Sequence, residues 1–68
     1  MITFRPQRGT LEDSLKGVRE FKSLNELARH LKSDQLIISY YGYDKRCDWD
    51  LWMVSTNGDY HIHGWIKG

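Results

Sequence analysis

Asn57-Gly58, set between two runs rich in β-branched and aromatic residues, restricts this chain more than any other feature. A two-residue type I′ turn needs positive φ at both central positions, and Asn-Gly is the preferred pair. Such a turn also fixes a register. Thr56 would face Asp59, followed by Ser55 with Tyr60, Val54 with His61, Met53 with Ile62, Trp52 with His63, Leu51 with Gly64, Asp50 with Trp65 and Trp49 with Ile66. Because side chains alternate faces along a strand, these pairs separate into two sets. Trp49, Leu51, Met53, Tyr60, Ile62, Gly64 and Ile66 form the expected core face. Asp50, Trp52, Val54, His61, His63 and Trp65 form the other.

A preceding strand starting at Leu36 joins this hairpin through a four-residue turn around Lys45 and Arg46, pairing Tyr43 with Asp48. Leu36, Ile38, Tyr40 and Gly42 then extend the core face, with Ile38 beside Met53. A slip of one residue would reverse that assignment.

The first half of the chain has a different periodicity. Ile2 and Phe4 alternate with Thr3 and Arg5, a short strand that stops where Pro6 lacks a backbone donor. Thr10 with Asp13 marks a first helix start, with Leu11, Leu15 and Val18 at i, i+4 and i+7 and Gly17 suited to its end. Ser23 and Glu26 form a capping box ahead of Leu24, Leu27, Ala28 and Leu31, a single apolar stripe. Residues Val18 to Phe21 read as a short extended segment or a connector whose Phe21 enters the core. The expected fold is one α+β domain over residues 1–68: a short N-terminal strand and two helices on one face of a C-terminal three-stranded antiparallel meander.

Composition narrows the function classes. Ten Lys/Arg against nine Asp/Glu is far from the basic balance of a dedicated nucleic-acid binder. A single cysteine, Cys47, excludes an intramolecular disulfide and a Cys-based zinc cluster within one chain. No apolar run approaches the roughly 18 residues of a membrane span, and the N-terminus lacks a secretory signal layout, so a cytoplasmic location is expected. Charge is uneven: residues 1–35 hold seven basic and five acidic side chains, residues 36–68 three and four, with seven of the nine aromatics in the second half.

The face opposite the expected core is rich in Trp, Tyr and His, side chains enriched at interfaces. Tyr41, Tyr43, Asp50, Trp52, His61, His63 and Trp65 are the predicted partner-binding residues. Cross-strand aromatic pairs also stabilise a sheet with no ligand involved, by about 0.2–1 kcal/mol each. Other chemistries are weaker. His61, His63 and Asp50 are a conceivable ligand set for a metal ion, but no further ligand is fixed, so no metal and no cofactor are expected. Asp50, His63 and Ser39 would be the parts of a hydrolytic site, but a flat sheet offers no water-excluding pocket or oxyanion donors, and the chain is read as no enzyme. Cys47 beside Lys45 and Arg46 is read as an incidental thiol. Exposed aromatics with Arg5, Arg8, Arg19, Lys45 and Arg46 make single-stranded nucleic-acid binding the alternative function.

Phe4-Arg5-Pro6-Gln7-Arg8-Gly9, with Leu11 and Leu15, then Glu20-Phe21-Lys22-Ser23 and Tyr43-Asp44-Lys45-Arg46 before Trp49, resembles a family of small uncharacterised proteins of Gram-positive bacteria and their phages. The similarity spans most of the chain in short pieces. It carries over no functional residue and implies a phage or mobile-element setting, where small proteins often bind a host factor. The expected function is therefore a non-enzymatic protein-binding module, acting on a host factor or self-associating through the aromatic sheet face. Arg5 and Arg8 present two guanidinium forks at the strand exit, suited to carboxylates or phosphates. Pairing with Asp or Glu of the same chain is the favoured reading.

Overall fold

The computed structural model describes residues 1–56 and 61–68, so the expected Asn57-Gly58 turn lies outside the described residues. Both helices begin where the local caps place them. Thr10 Oγ1 accepts the Asp13 N–H at 3.1 Å and starts α1 (Leu11–Lys16), which ends at Gly17. Ser23 Oγ accepts the Glu26 N–H at 3.2 Å and starts α2 (Leu24–His30). Glu26 Oε2 in turn accepts the Lys22 N–H at 3.3 Å, one residue further back than in the usual reciprocal box.

Five strands form one antiparallel sheet: β1 (Ile2–Pro6), β2 (Arg19–Phe21), β3 (Leu36–Asp44), β4 (Trp49–Thr56) and β5 (Gly64–Lys67). Their order is β2-β1-β5-β4-β3. The expected three-stranded meander is thus part of a larger sheet. Left alone it would leave the outer edge of β5 unpaired and Phe4 and Phe21 without cover. Instead β1 pairs with β5 on one side and β2 on the other, and Arg19–Phe21 takes the extended option with Phe21 buried.

One side of the sheet carries the main core. Phe4, Phe21 and Val54 pack with Leu27 of α2, and Leu31, Leu36, Ile38 and Ile66 close around them. The Phe4 and Phe21 rings meet edge to face at 6.2 Å. Of the apolar stripe predicted for α2, Leu27 and Leu31 are used, whereas Leu24 stays exposed. The stripe predicted for α1 is not: Leu15 is exposed, and the buried residue is Ser14, whose Oγ accepts the Arg8 N–H at 3.2 Å and holds the exit from β1.

The strand register differs from the expected one. Val54 pairs with Gly64, Met53 with Trp65, Trp52 with Ile66 and Leu51 with Lys67, three residues further along β5 than a ladder running straight from a two-residue turn. Ile38 lies beside Val54 rather than Met53, and a four-residue turn over residues 45–48 joins Asp44 to Trp49. The expected core side of β4 is thereby reversed: Val54 and Thr56 face α2, while Leu51 is buried on the far side. The cause is non-local. Gly64 sits where Phe4 and the Arg5 carbonyl crowd β5, a place that no side chain fits. Ile66 lies beside Phe4. Packing against β1 fits the observed β4–β5 register.

Candidate protein-interaction surface

A bulge in β3 shapes the exposed end of the β3–β4 hairpin. Tyr40 pairs with Trp52, but Gly42 pairs with Leu51, so Tyr41 is an extra residue in the ladder. Gly42 has φ 143°, a conformation that glycine adopts without strain. The consequence is geometric. Tyr40 and Tyr43, an odd three residues apart, come to the same side of the sheet, because Tyr43 pairs with Asp50 and Tyr40 with Trp52.

That side is the one carrying the core, at the end beyond the buried cluster. Tyr40, Tyr43 and Trp52 remain 56%, 53% and 40% exposed. The Tyr40 and Trp52 rings meet at 5.3 Å and 69°, the two walls of a corner. Tyr40 donates its hydroxyl proton to Asp50 Oδ1 at 3.0 Å, and Tyr43 donates to Asp48 Oδ1. These hydrogen bonds to carboxylates raise the pKa of both tyrosines above the ordinary phenol value, so the hydroxyls stay protonated. Among the described residues no Lys, Arg or His lies within ion-pair distance of Asp48 or Asp50.

The opposite side holds a second, polar-centred cluster. Arg5 is only 3% exposed and donates from Nη1 to Asp44 Oδ2 and to Cys47 Sγ, both at 3.3 Å. Its guanidinium carbon lies 4.8 Å from the Trp65 ring centre and 5.9 Å from that of Trp49. Arg46 grips the same Asp44 through its backbone N–H and Nε at 3.0 Å each and Nη2 at 2.9 Å. The Arg46 guanidinium, with Arg5 behind it, holds the Asp44 carboxyl well below the usual carboxylate range. The intrachain reading of Arg5 is the observed one.

The seven predicted contact residues therefore do not share a face. Tyr43, Asp50 and Trp52 lie together on the corner side. Tyr41 and Trp65 lie on the other, their rings 5.7 Å apart. Trp52 is beside Ile66 and Tyr40, not His63, and Asp50 is beside Tyr43, not Trp65. His61 and His63 precede β5 rather than sitting within it. His61 is exposed, whereas His63 is half-buried, with Nε2 3.2 Å from Thr56 Oγ1 and its backbone joining Val54 to Gln7. Tyr40, which alternation places on the core face, is instead an exposed member of the corner. Only Gly42, a glycine inside a strand pattern, hinted at the bulge that exposes it.

The remaining chemistries find little support in this arrangement. Ser39 and Asp50 project from opposite sides of the sheet, so no triad with His63 assembles. Among the described residues no group of three His, Cys, Asp or Glu is placed to hold a metal ion. A shallow depression lined by Asn25, Ala28, Arg29, Ser33 and Asp34 flanks α2, and none of these five belongs to the exposed corner. No helix among the described residues is long and apolar enough to cross a membrane. No protein-family model, curated protein or solved structure matches the chain.

Proposed function

We propose that this protein is a non-enzymatic protein-binding module whose contact surface is the Tyr40, Tyr43 and Trp52 corner of the β3–β4 hairpin. One observation carries the reading: three large aromatic side chains stay 40–56% exposed on one side of one hairpin, beside two carboxylates that no described cation neutralises. Tyr and Trp are the residues that supply most contact energy at low cost in conformational entropy. The partner fits the phage or mobile-element setting that the sequence resemblance implies, as a host protein. A second copy of the chain is the other occupant to be tested.

Single-stranded nucleic acid fits less well. Asp48 and Asp50 would repel phosphates at the aromatic corner, and Arg5, the arginine nearest to aromatic rings, is buried and paired. The test is affinity capture from host lysate with wild-type protein and Trp52→Ala, together with light scattering on each. A specific protein captured by wild type and lost from a normally folded Trp52→Ala supports the module. A concentration-dependent dimer abolished by the substitution would identify the second copy as the partner. Equal capture by both proteins would end the proposal.

A further inference from the structure

Resting on that binding reading, we infer that the corner of Tyr40, Trp52 and Asp50 receives an arginine side chain of the partner. The two rings stand at 69° with centres 5.3 Å apart, so a planar group lying flat on one ring turns its own edge toward the other. A ring face attracts a cation and a ring edge does not, so the guanidinium lies flat on one ring and turns its N–H groups toward Asp50. Asp50 Oδ1 already accepts from Tyr40. Oδ2 has no hydrogen-bond donor among the described residues, and Asp50 is exposed.

The protein itself supplies the precedent. On the opposite side of the same sheet, Arg5 lies 4.8 Å from the Trp65 ring centre, 5.9 Å from that of Trp49, and 3.3 Å from the Asp44 carboxylate. The parts are two aromatic rings and one aspartate in both places. In the Arg5 site the guanidinium comes from within the chain; in the Tyr40–Trp52 corner no described residue provides one. The charge is complementary too. Asp48 and Asp50 make the corner acidic, which favours a basic segment over an acidic or phosphorylated one.

Arginine suits the corner better than lysine for two physical reasons. Its guanidinium is planar and weakly hydrated, so it loses less on leaving water to stack on a ring. Its fork also reaches a carboxylate while stacked, whereas an ammonium must choose between ring and carboxylate.

The experiment is a ¹⁵N-resolved NMR titration of the whole protein with a capped tri-arginine peptide, and in parallel with capped tri-citrulline, which has nearly the same shape without the charge. Tri-arginine should move the Trp52 indole N–H and the Tyr40 and Asp50 amides, leaving the indoles of Trp49 and Trp65 in place. Tri-citrulline should bind at least about tenfold more weakly. Asp50→Asn, which keeps the shape of the corner, should weaken tri-arginine at least threefold, and capped tri-lysine should bind more weakly than tri-arginine. Equal binding of tri-citrulline, or of tri-arginine to Asp50→Asn, overturns the assignment, as does an oligothymidine that moves the same resonances more strongly. If tri-arginine fails while Trp52→Ala still loses the captured partner, the arginine assignment falls and the binding module stands. If Trp52→Ala keeps the partner, the module falls whatever the peptides do.

Discussion

Only 3% of the surface of the Arg5 guanidinium side chain meets solvent, and its Nε–H, like the Trp65 indole N–H, has no hydrogen-bond partner among the described residues. Such a charge is tolerable only while Asp44 faces it. Removing one member of a buried pair costs about 3–5 kcal/mol, and a chain of this length has a total stability of about 3–10 kcal/mol. Asp44→Asn should therefore remove a large part of the stability, seen as a strongly lowered urea midpoint. A change within the error of the midpoint would mean that Cys47 and the two rings satisfy Arg5 by themselves. The pH dependence has a definite sign. Asp44 has a depressed pKa in the fold, so its contribution is complete above the ordinary carboxylate value of about 3.9 and drains away as pH falls through the lower folded value. Wild type should lose stability steadily below about pH 4, and Asp44→Asn should lose less over the same range. Parallel curves would show that the acid sensitivity lies elsewhere.

At the scale of elements, caps and registers behave differently. Thr10 and Ser23 act within three residues of themselves, so both helix starts were legible from the chain. The register of β5 was not legible, because the residues that set it are almost sixty positions away. Phe4 and the Arg5 carbonyl crowd Gly64, and a side chain added there would meet that carbonyl and lie 2.7 Å from Phe4 Cζ. Neither a strand backbone nor a buried ring yields easily. Gly64→Ala should cost at least about 1–3 kcal/mol and should lower hydrogen-exchange protection first in the β1–β5 ladder. Unchanged protection between Phe4 and Ile66 would remove Gly64 as the register lock. The same limit hid part of the candidate surface. An alternation rule carries Tyr40 and Tyr43 to opposite sides, and only an extra residue at Tyr41 reunites them. Trp52 and Asp50 are legible as exposed companions because no bulge separates them. Trp65 and Tyr41 fall on the other side because β5 and β3 are displaced along β4 from the registers that the sequence predicts.

For the molecule as a whole, the consequence is a sheet stabilised from both sides by different chemistry. Phe4, Phe21, Leu27 and Val54 form an apolar core under α2, while Arg5, Asp44, Trp49 and Trp65 form a charged, aromatic cluster on the reverse. Phe4 and Arg5 are adjacent on β1, so neither cluster can come apart without displacing the strand that anchors the other. This coupling makes a single cooperative transition the expected behaviour, as is usual for a domain this small. Leu27, fully buried, is the place to test it. Leu27→Ala should cost about 2–5 kcal/mol, a large share of the roughly 3–10 kcal/mol available. In a Trp52→Phe background tryptophan emission reports on Trp49 and Trp65, across the sheet from Leu27, whereas far-ultraviolet circular dichroism reports on the backbone of both sides. If the sheet unites the two clusters, Leu27→Ala shifts both unfolding curves to the same lower midpoint. Tryptophan emission that holds its wild-type midpoint while the backbone signal falls early would show instead that the Arg5 cluster survives alone, on a hairpin whose contacts with β1 are dispensable.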